Sequence, residues 1–150
     1  MNSMSIDSPF GKISIFEENG FVVKIGFFSE ACAAKNSGSP TLKAAAAQLE
    51  EYFSGGRKDF SVPLNPQGTD FQKKVWRAAE KIKFGQTASY KRIAELVGKP
   101  NAARAVGGAL GRNPVPILIP CHRIVGANGR LTGFALGLDC KKKLLEIEKL

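Results

Sequence analysis

The chain changes character at Ser61-Val62-Pro63-Leu64-Asn65-Pro66-Gln67-Gly68. Two prolines and a glycine this close together suit neither helix nor sheet, so the stretch reads as a linker. Strand patterns and a single helix precede it, and helical patterns follow it. A chain of 150 residues ordered this way is expected to be α+β, with an amino-terminal domain over 1–64 and a carboxy-terminal domain over 65–150.

Before the linker, residues 11–16 alternate apolar and polar, and Phe21–Phe28 follow a Glu17-Glu18-Asn19-Gly20 turn. Asn-Gly tolerates positive φ at both turn centres, which predicts a β-hairpin. Ala31–Pro40 is small and polar and reads as a loop. Leu42, Leu49, Phe53 and several alanines make one stripe, predicting a helix over 41–53 that stops at Gly55 and Gly56. Lys58–Val62 is expected to be a third strand.

Beyond the linker, Thr69 and Gln72 form a capping box for a helix whose face is Phe71, Val75, Ala78, Ala79 and Ile82, ending at Phe84-Gly85-Gln86. Ser89 caps a second helix running to Val97. After the Gly98-Lys99-Pro100 break, Asn101 caps a third from Ala102 to Gly111. Helix, short turn, helix is the outline of a helix-turn-helix. The third helix is nearly bare: Ala102, Ala103, Ala105, Gly107, Gly108 and Ala109. Adjacent glycines cost about 1 kcal/mol each against Ala, so they need a reason. Close approach to another backbone is one, and tight packing on a neighbouring helix is the other. Prolines 114, 116 and 120 then forbid a regular helix and predict a stiff, extended, apolar segment leading to Cys121. Gly126–Gly137 reads as irregular, and a last helix is predicted over 139–150.

The chain carries 22 Lys and Arg against 13 Asp and Glu, a net charge of +9, which suits a polyanionic partner. Three widely spaced cysteines, Cys32, Cys121 and Cys140, do not read as a disulfide framework and point to a reducing compartment. The first ten residues lack the pattern of a secretion signal, and no apolar run is long enough to span a membrane.

Chemistry concentrates at Cys121-His122-Arg123, where a thiol adjoins the chain's single histidine. Only a few per cent of an ordinary thiol is ionised at neutral pH, and a nearby base or cation raises that fraction. Adjacent residues on an extended segment face opposite ways, so His122 reaches Cys121 only through a turn or a bridging water. A buried structural cysteine beside a histidine is the commoner situation. In the last helix, Leu144, Leu145 and Glu148 share a face, so Glu148 points towards the core and needs a partner there. His122 is one candidate, completing a nucleophile–base–orienter set. The alternative is that Glu148 snorkels to solvent, or pairs with Lys141 or Lys142.

These residues resemble a known family. Pro120-Cys-His-Arg-Ile-Val125 is similar to the signature of the 6-O-alkylguanine-DNA alkyltransferases, and the likeness extends in order over most of residues 68–148. It includes Gly68-Thr-Asp-Phe-Gln-Lys-Lys-Val-Trp76, Phe84-Gly85, Ser89-Tyr90, Arg104-Ala-Val-Gly-Gly108, Asn113-Pro-Val-Pro116, the Gly133–Leu138 loop and Glu148. Residues 1–62 match more loosely, as a pattern of strands and one helix of the RNase H-like kind.

The resemblance implies direct-reversal repair of alkylated double-stranded DNA without a cofactor. Cys121 would take the alkyl group irreversibly, with His122 as base through a water and Glu148 orienting it. Tyr90 would stabilise the leaving guanine, and Asn113 would hinge the third helix to the cysteine segment. Arg104 would fill the gap left by the extruded base, with Ala103, Ser89 and Arg123 also meeting DNA. Pro116, Ile124, Phe134, Ala135 and Leu136 would line the alkyl pocket. The 6-oxygen of a stacked guanine lies in the major-groove edge, so a buried thiol meets it only after extrusion. The nearly bare third helix fits close approach to DNA, and in this family it enters the minor groove. Alternatives are a phosphate contact for Arg104 and a core packing role for Tyr90.

Phe134 stands where many relatives carry Tyr, Ala135 where Ser is common and Leu136 where Gly is frequent, implying a narrower pocket. One histidine already committed to catalysis cannot supply the zinc ligands of some relatives, so no metal is expected. A monomer in the cytoplasm, associated with the nucleoid, is expected, or in the nucleus of a eukaryote. Lesion-binding relatives without repair activity carry another residue in place of the nucleophile, often Trp. A bifunctional regulator would need a further domain. A cysteine hydrolase would turn over many times, whereas the repair reading allows one alkyl group per chain.

Overall fold

The computed structural model describes residues 1–27, 39–129 and 137–149. The chain separates into two compact units, Met1–Gln67 and Gly68–Leu150, against the expected junction at 64/65.

In the first unit, β1 (Asn2–Ser8), β2 (Gly11–Glu18) and β3 (Phe21–Phe27) form an antiparallel sheet in that order, followed by α1 (Pro40–Phe53). The β2–β3 hairpin turns at Asn19 (φ 54°) and Gly20 (φ 85°), the double positive φ that suits strand twist. Ile6 faces Ile13 across β1–β2, and Ile15 faces Ile25 across β2–β3. These residues are buried, and α1 packs Leu42, Ala45, Ala46, Leu49 and Tyr52 into the same core. Ser39 caps α1 by accepting the Leu42 N–H, and its hydroxyl donates to buried Glu17 at 2.6 Å. Asn2 and the Gly20 N–H donate to the same carboxylate at 3.0 Å. Led by Ser39, these donors hold the Glu17 carboxyl below its ordinary range.

The third strand is β1, not Lys58–Val62. Residues 56–63 are irregular, and the next segment meets β3 only in an isolated bridge of Val22 with Leu64. Pro63 has no N–H to give a ladder, and Arg57 folds back on the Asp59 carbonyl. The expected loop at Ala31–Pro40 lies almost wholly outside the described residues.

The second unit contains α2 (Asp70–Glu80), β4 (Ala88–Ser89), α3 (Tyr90–Leu96), α4 (Ala103–Gly111), β5 (Ile124–Val125) and α5 (Leu138–Ile147), with a 3₁₀ turn at Cys121–Arg123. The capping box forms: Thr69 accepts the Gln72 N–H at 3.1 Å, and Gln72 accepts the Thr69 N–H at 2.9 Å. α2 stops at Glu80, short of Phe84, because Lys81 and Ile82 tighten into bonds with the carbonyls three residues back. Buried Trp76 donates its indole N–H to the Ala109 carbonyl at 2.8 Å, fastening α2 to α4. Gly68 permits this, because a Cβ there would lie 2.5 Å from the Trp76 ring.

Gly98 (φ 79°) breaks the chain between α3 and α4, giving the expected helix-turn-helix outline. Asn101 does not cap α4. The cap position is Ala102, with no side-chain bond, and the Ala102 N–H closes a turn on the Lys99 carbonyl instead. β4 and β5 pair in parallel, Ala88 with Ile124 and Ser89 with Val125, which joins the start of α3 to the turn carrying Cys121. No helix among the described residues is long and apolar enough to cross a membrane.

Candidate active site

The segment from Asn113 to Pro120 is not extended. The Ile119 N–H bonds the Val115 carbonyl at 3.0 Å, Pro116 bridges Ile119, and Ile117 takes φ 75°. The prolines fix local φ but do not prevent collapse, and Val115 to Pro120 are all buried. A left-handed β-branched residue costs about 1–2 kcal/mol, which the burial of these side chains offsets. Buried Asn113 organises the loop. Its carbonyl accepts the Val115 N–H at 2.9 Å, and its amide donates to the Ile119 carbonyl at 3.1 Å and to Cys121 Sγ at 3.2 Å.

Cys121 heads the 3₁₀ turn and is 3% exposed. Burial pushes its thiol up to about 11, against the Asn113 donor, the charge of Lys141 and backbone N–H groups of the turn, all of which favour the thiolate. Cys121 therefore rests as a thiol, with neighbouring groups that favour its anion.

His122 is fully buried, and its Nε2 lies 2.6 Å from Glu148 Oε2. An ionised carboxylate only accepts, so Nε2 carries the proton and Nδ1 keeps the basic lone pair. Burial, opposed by Glu148, lowers His122 below its ordinary value and keeps the ring neutral. Glu148 caps the carboxy-terminal end of α5, where the helix dipole disfavours an anion. Its compensation is Arg123, which donates through Nε at 2.7 Å and through its terminal nitrogen at 3.1 Å. A third donation, to the Ile82 carbonyl at 2.7 Å, and the Phe84 ring 5.9 Å away complete the cradle. Of the partners the sequence offers Glu148, His122 is one that it takes.

Arg123 therefore corrects its assignment to the DNA surface: it is 6% exposed, and its guanidinium is spent inside the unit. Ser89 spends its hydroxyl capping α3, accepting the Arg92 N–H at 3.0 Å. Tyr90 opens α3, and a Cβ added at Gly107 of α4 would make an ordinary contact with its ring at 3.8 Å. Arg104 is exposed on α4 and Ala103 is half-buried. Pro116 and Ile124 are buried around the turn. Phe134, Ala135 and Leu136 lie outside the described residues.

Sequence reasoning missed Lys141 as a member of this site. It is fully buried on α5, donates to the Ile124 carbonyl at 2.6 Å and sits 6.0 Å from the centre of the Tyr90 ring. Its place in the 141, 144, 145, 148 stripe was the available signal, a lysine in line with buried Leu144 and Glu148.

Two family descriptions match the chain: 6-O-methylguanine DNA methyltransferase, DNA binding domain, over residues 70–150, and 6-O-methylguanine DNA methyltransferase, ribonuclease-like domain, over residues 3–66. A methylated-DNA–protein-cysteine methyltransferase of Methanosarcina barkeri is 56% identical over 105 residues, 70% of this chain and 66% of that protein. The constitutive methylated-DNA–protein-cysteine methyltransferase of Bacillus subtilis is 42% identical over 153 aligned positions, covering 96% of this chain and 93% of its own. The crystal structure of Mycobacterium tuberculosis OGT in complex with DNA superposes with a TM-score of 0.91 at 40% identity, over 99% of this chain and 93% of that one. With its buried cysteine beside a carboxylate-held histidine and both domain matches in order, the chain belongs to the 6-O-methylguanine DNA methyltransferase family.

Proposed function

We propose that this chain repairs alkylated DNA by direct reversal, moving the alkyl group of an extruded 6-O-alkylguanine, or of 4-O-alkylthymine, onto Cys121 in a single turnover. The observation that carries this reading is the amide of Asn113 aimed at Cys121 Sγ at 3.2 Å, beside a His122 whose Nε2 is bound to Glu148. A merely structural cysteine needs neither a donor for its anion nor a base oriented by a carboxylate.

The balance of the reaction follows from these atoms. Cys121 gives its proton towards the lone pair of His122 Nδ1, and Glu148 stabilises the imidazolium that forms. The thiolate sulfur bonds the alkyl carbon as the carbon–oxygen bond breaks, and that electron pair stays on guanine. The proton held by His122 can then pass to the guanine anion, leaving neutral guanine and a thioether. No step regenerates the thiol, so each chain acts once. Tyr90 is the residue that would stabilise the departing guanine.

α4 supports the DNA-facing part. Cβ atoms added at exposed Gly108 and Gly111 would meet nothing within 4 Å. Packing inside the unit does not require these glycines, so close approach by an outside backbone is their remaining reason, with exposed Arg104 on the same helix. Small residues then let α4 enter the minor groove while Arg104 fills the vacated stack, which recovers part of a stacking cost of a few kcal/mol. The reaction belongs wherever DNA is held, the cytoplasm of a prokaryotic cell.

Intact mass after exposure to methylated duplex DNA, followed by peptide mapping, tests the reading. The expected result is one methyl gained on Cys121 and nowhere else. For Cys121→Ala, DNA binding is expected to persist while transfer vanishes, and transfer surviving that change overturns the proposal.

A further inference from the structure

We propose that the cleft between α5 and the 85–87 turn is a docking site for an extended acidic peptide of a partner protein, with a carboxylate on either side of an apolar side chain. The site is independent of the alkyl-transfer reading and stands whether or not Cys121 accepts an alkyl group.

The first argument is the shape of the cleft. It encloses about 340 Å³, the size of a ligand pocket. Glu148 lines it from the rear of the cysteine site: its carboxylate is spent on His122 and Arg123, and its main-chain carbonyl faces Gly85. Gly85, at φ 81°, keeps the opposite lip bare. Half-buried Leu145 adds an apolar patch on the α5 side.

The second argument is the charge around it. Lys142 and Lys149 line the cleft and are exposed. Surface cations elsewhere meet a carboxylate, as Lys12 does with Asp7, Arg57 with Glu51 and Arg92 with Glu95. Among the described residues, the ammonium groups of Lys142 and Lys149 have no such partner, and Glu146, between them in sequence, pairs with neither. Seven residues of helical rise set the two lysines about 10 Å apart along α5, with Leu145 between them.

An extended peptide matches this spacing. Its residues i, i+2 and i+4 share one face, and i to i+4 spans about 13 Å. A Glu-x-Leu-x-Glu segment therefore sets its leucine on Leu145 while its carboxylates meet the two lysines, whose long stems take up the difference. Glu146 and the Glu148 carbonyl favour a peptide over nucleic acid. A peptide main chain brings N–H donors to these acceptors, whereas a phosphodiester backbone brings none and is repelled by Glu146. No residue of the cleft belongs to α4, so a peptide here and a duplex on α4 occupy different surfaces.

The test titrates a fluorescein-labelled peptide, Gly-Glu-Ser-Leu-Ser-Glu-Gly, with the full chain at physiological salt and reads anisotropy. Saturable binding at one site per chain is expected. Lys142→Glu combined with Lys149→Glu is expected to weaken it at least about tenfold. Lys43→Glu combined with Lys74→Glu, the same loss of charge at exposed positions outside the cleft, is expected to leave it within about twofold. A peptide with Ser in place of Leu is expected to bind the parent chain about tenfold more weakly, a comparison that leaves the protein unaltered. Binding of the first peptide is expected to persist beside saturating unmodified duplex. Absence of saturable binding, equal loss in the two charge-reversed proteins, or indifference to the leucine overturns the proposal. Displacement of the peptide by duplex overturns it too, and assigns these lysines to nucleic acid.

Discussion

Asn113 divides its amide between two duties, holding the Ile119 carbonyl and pointing a hydrogen at Cys121 Sγ. Exchanging that amide for a carboxylate of the same shape isolates the second duty. Asn113→Asp turns a donor into an anion beside the developing thiolate. Single-turnover transfer from methylated duplex is expected to slow at least about tenfold, since like charges raise a thiol's pKa by a unit or more. An unchanged rate in the folded variant means that the amide serves the loop only. At this scale the sequence was legible where a residue type has few structural uses. The single histidine beside a cysteine, and an acidic residue in line with leucines, pointed to the pair that His122 and Glu148 form next to Cys121 in sequence. Arg123 and Lys141 were not legible. Charge alone reads as surface, and their burial depends on partners, Glu148 and the Ile124 carbonyl, that are distant in sequence.

α4 gives the clearest separation of stability from function among the elements. Gly108 is exposed, its φ is ordinary, and a side chain there meets nothing within the unit. Gly108→Leu is therefore expected to stabilise the fold by about 0.5–1 kcal/mol through helix propensity. The same change is expected to abolish tight binding to duplex DNA, measured by titration of a labelled duplex. Retained affinity would show that α4 is not the close-approach surface. Elements were legible from sequence where local chemistry decides them, as in the Asn19-Gly20 hairpin and the Thr69–Gln72 box. They were not legible where tertiary partners decide. β1 holds its place by pairing with β2, the 113–120 segment collapses because its side chains find a core, and Ala102 displaces Asn101 at the start of α4.

Charge is unevenly divided over the whole molecule. Residues 68–150 carry sixteen Lys and Arg against six Asp and Glu, whereas residues 1–67 carry six against seven. The positive field belongs to the unit that holds Cys121. Duplex affinity is thus expected to fall steeply with salt, the slope on logarithmic axes being about 0.9 per phosphate neutralised. Arg104→Ala distinguishes two roles on this axis. If Arg104 enters the base stack, the variant keeps the parent's salt slope, repairs duplex poorly and reacts normally with free alkylated base. A slope lower by about one, with equal losses on both substrates, identifies a phosphate contact and removes the flipping role.

Trp76 is the chain's single tryptophan, buried, with its indole N–H fixed to the Ala109 carbonyl of α4. Indole emission depends on the polarity around the ring and on that hydrogen bond. The protein thus carries its own fluorophore on the rear face of the helix expected to meet DNA. Movement of α4 on binding, on base extrusion or on alkylation of Cys121 is reported by the emission of one residue, with no label attached and no second tryptophan to subtract.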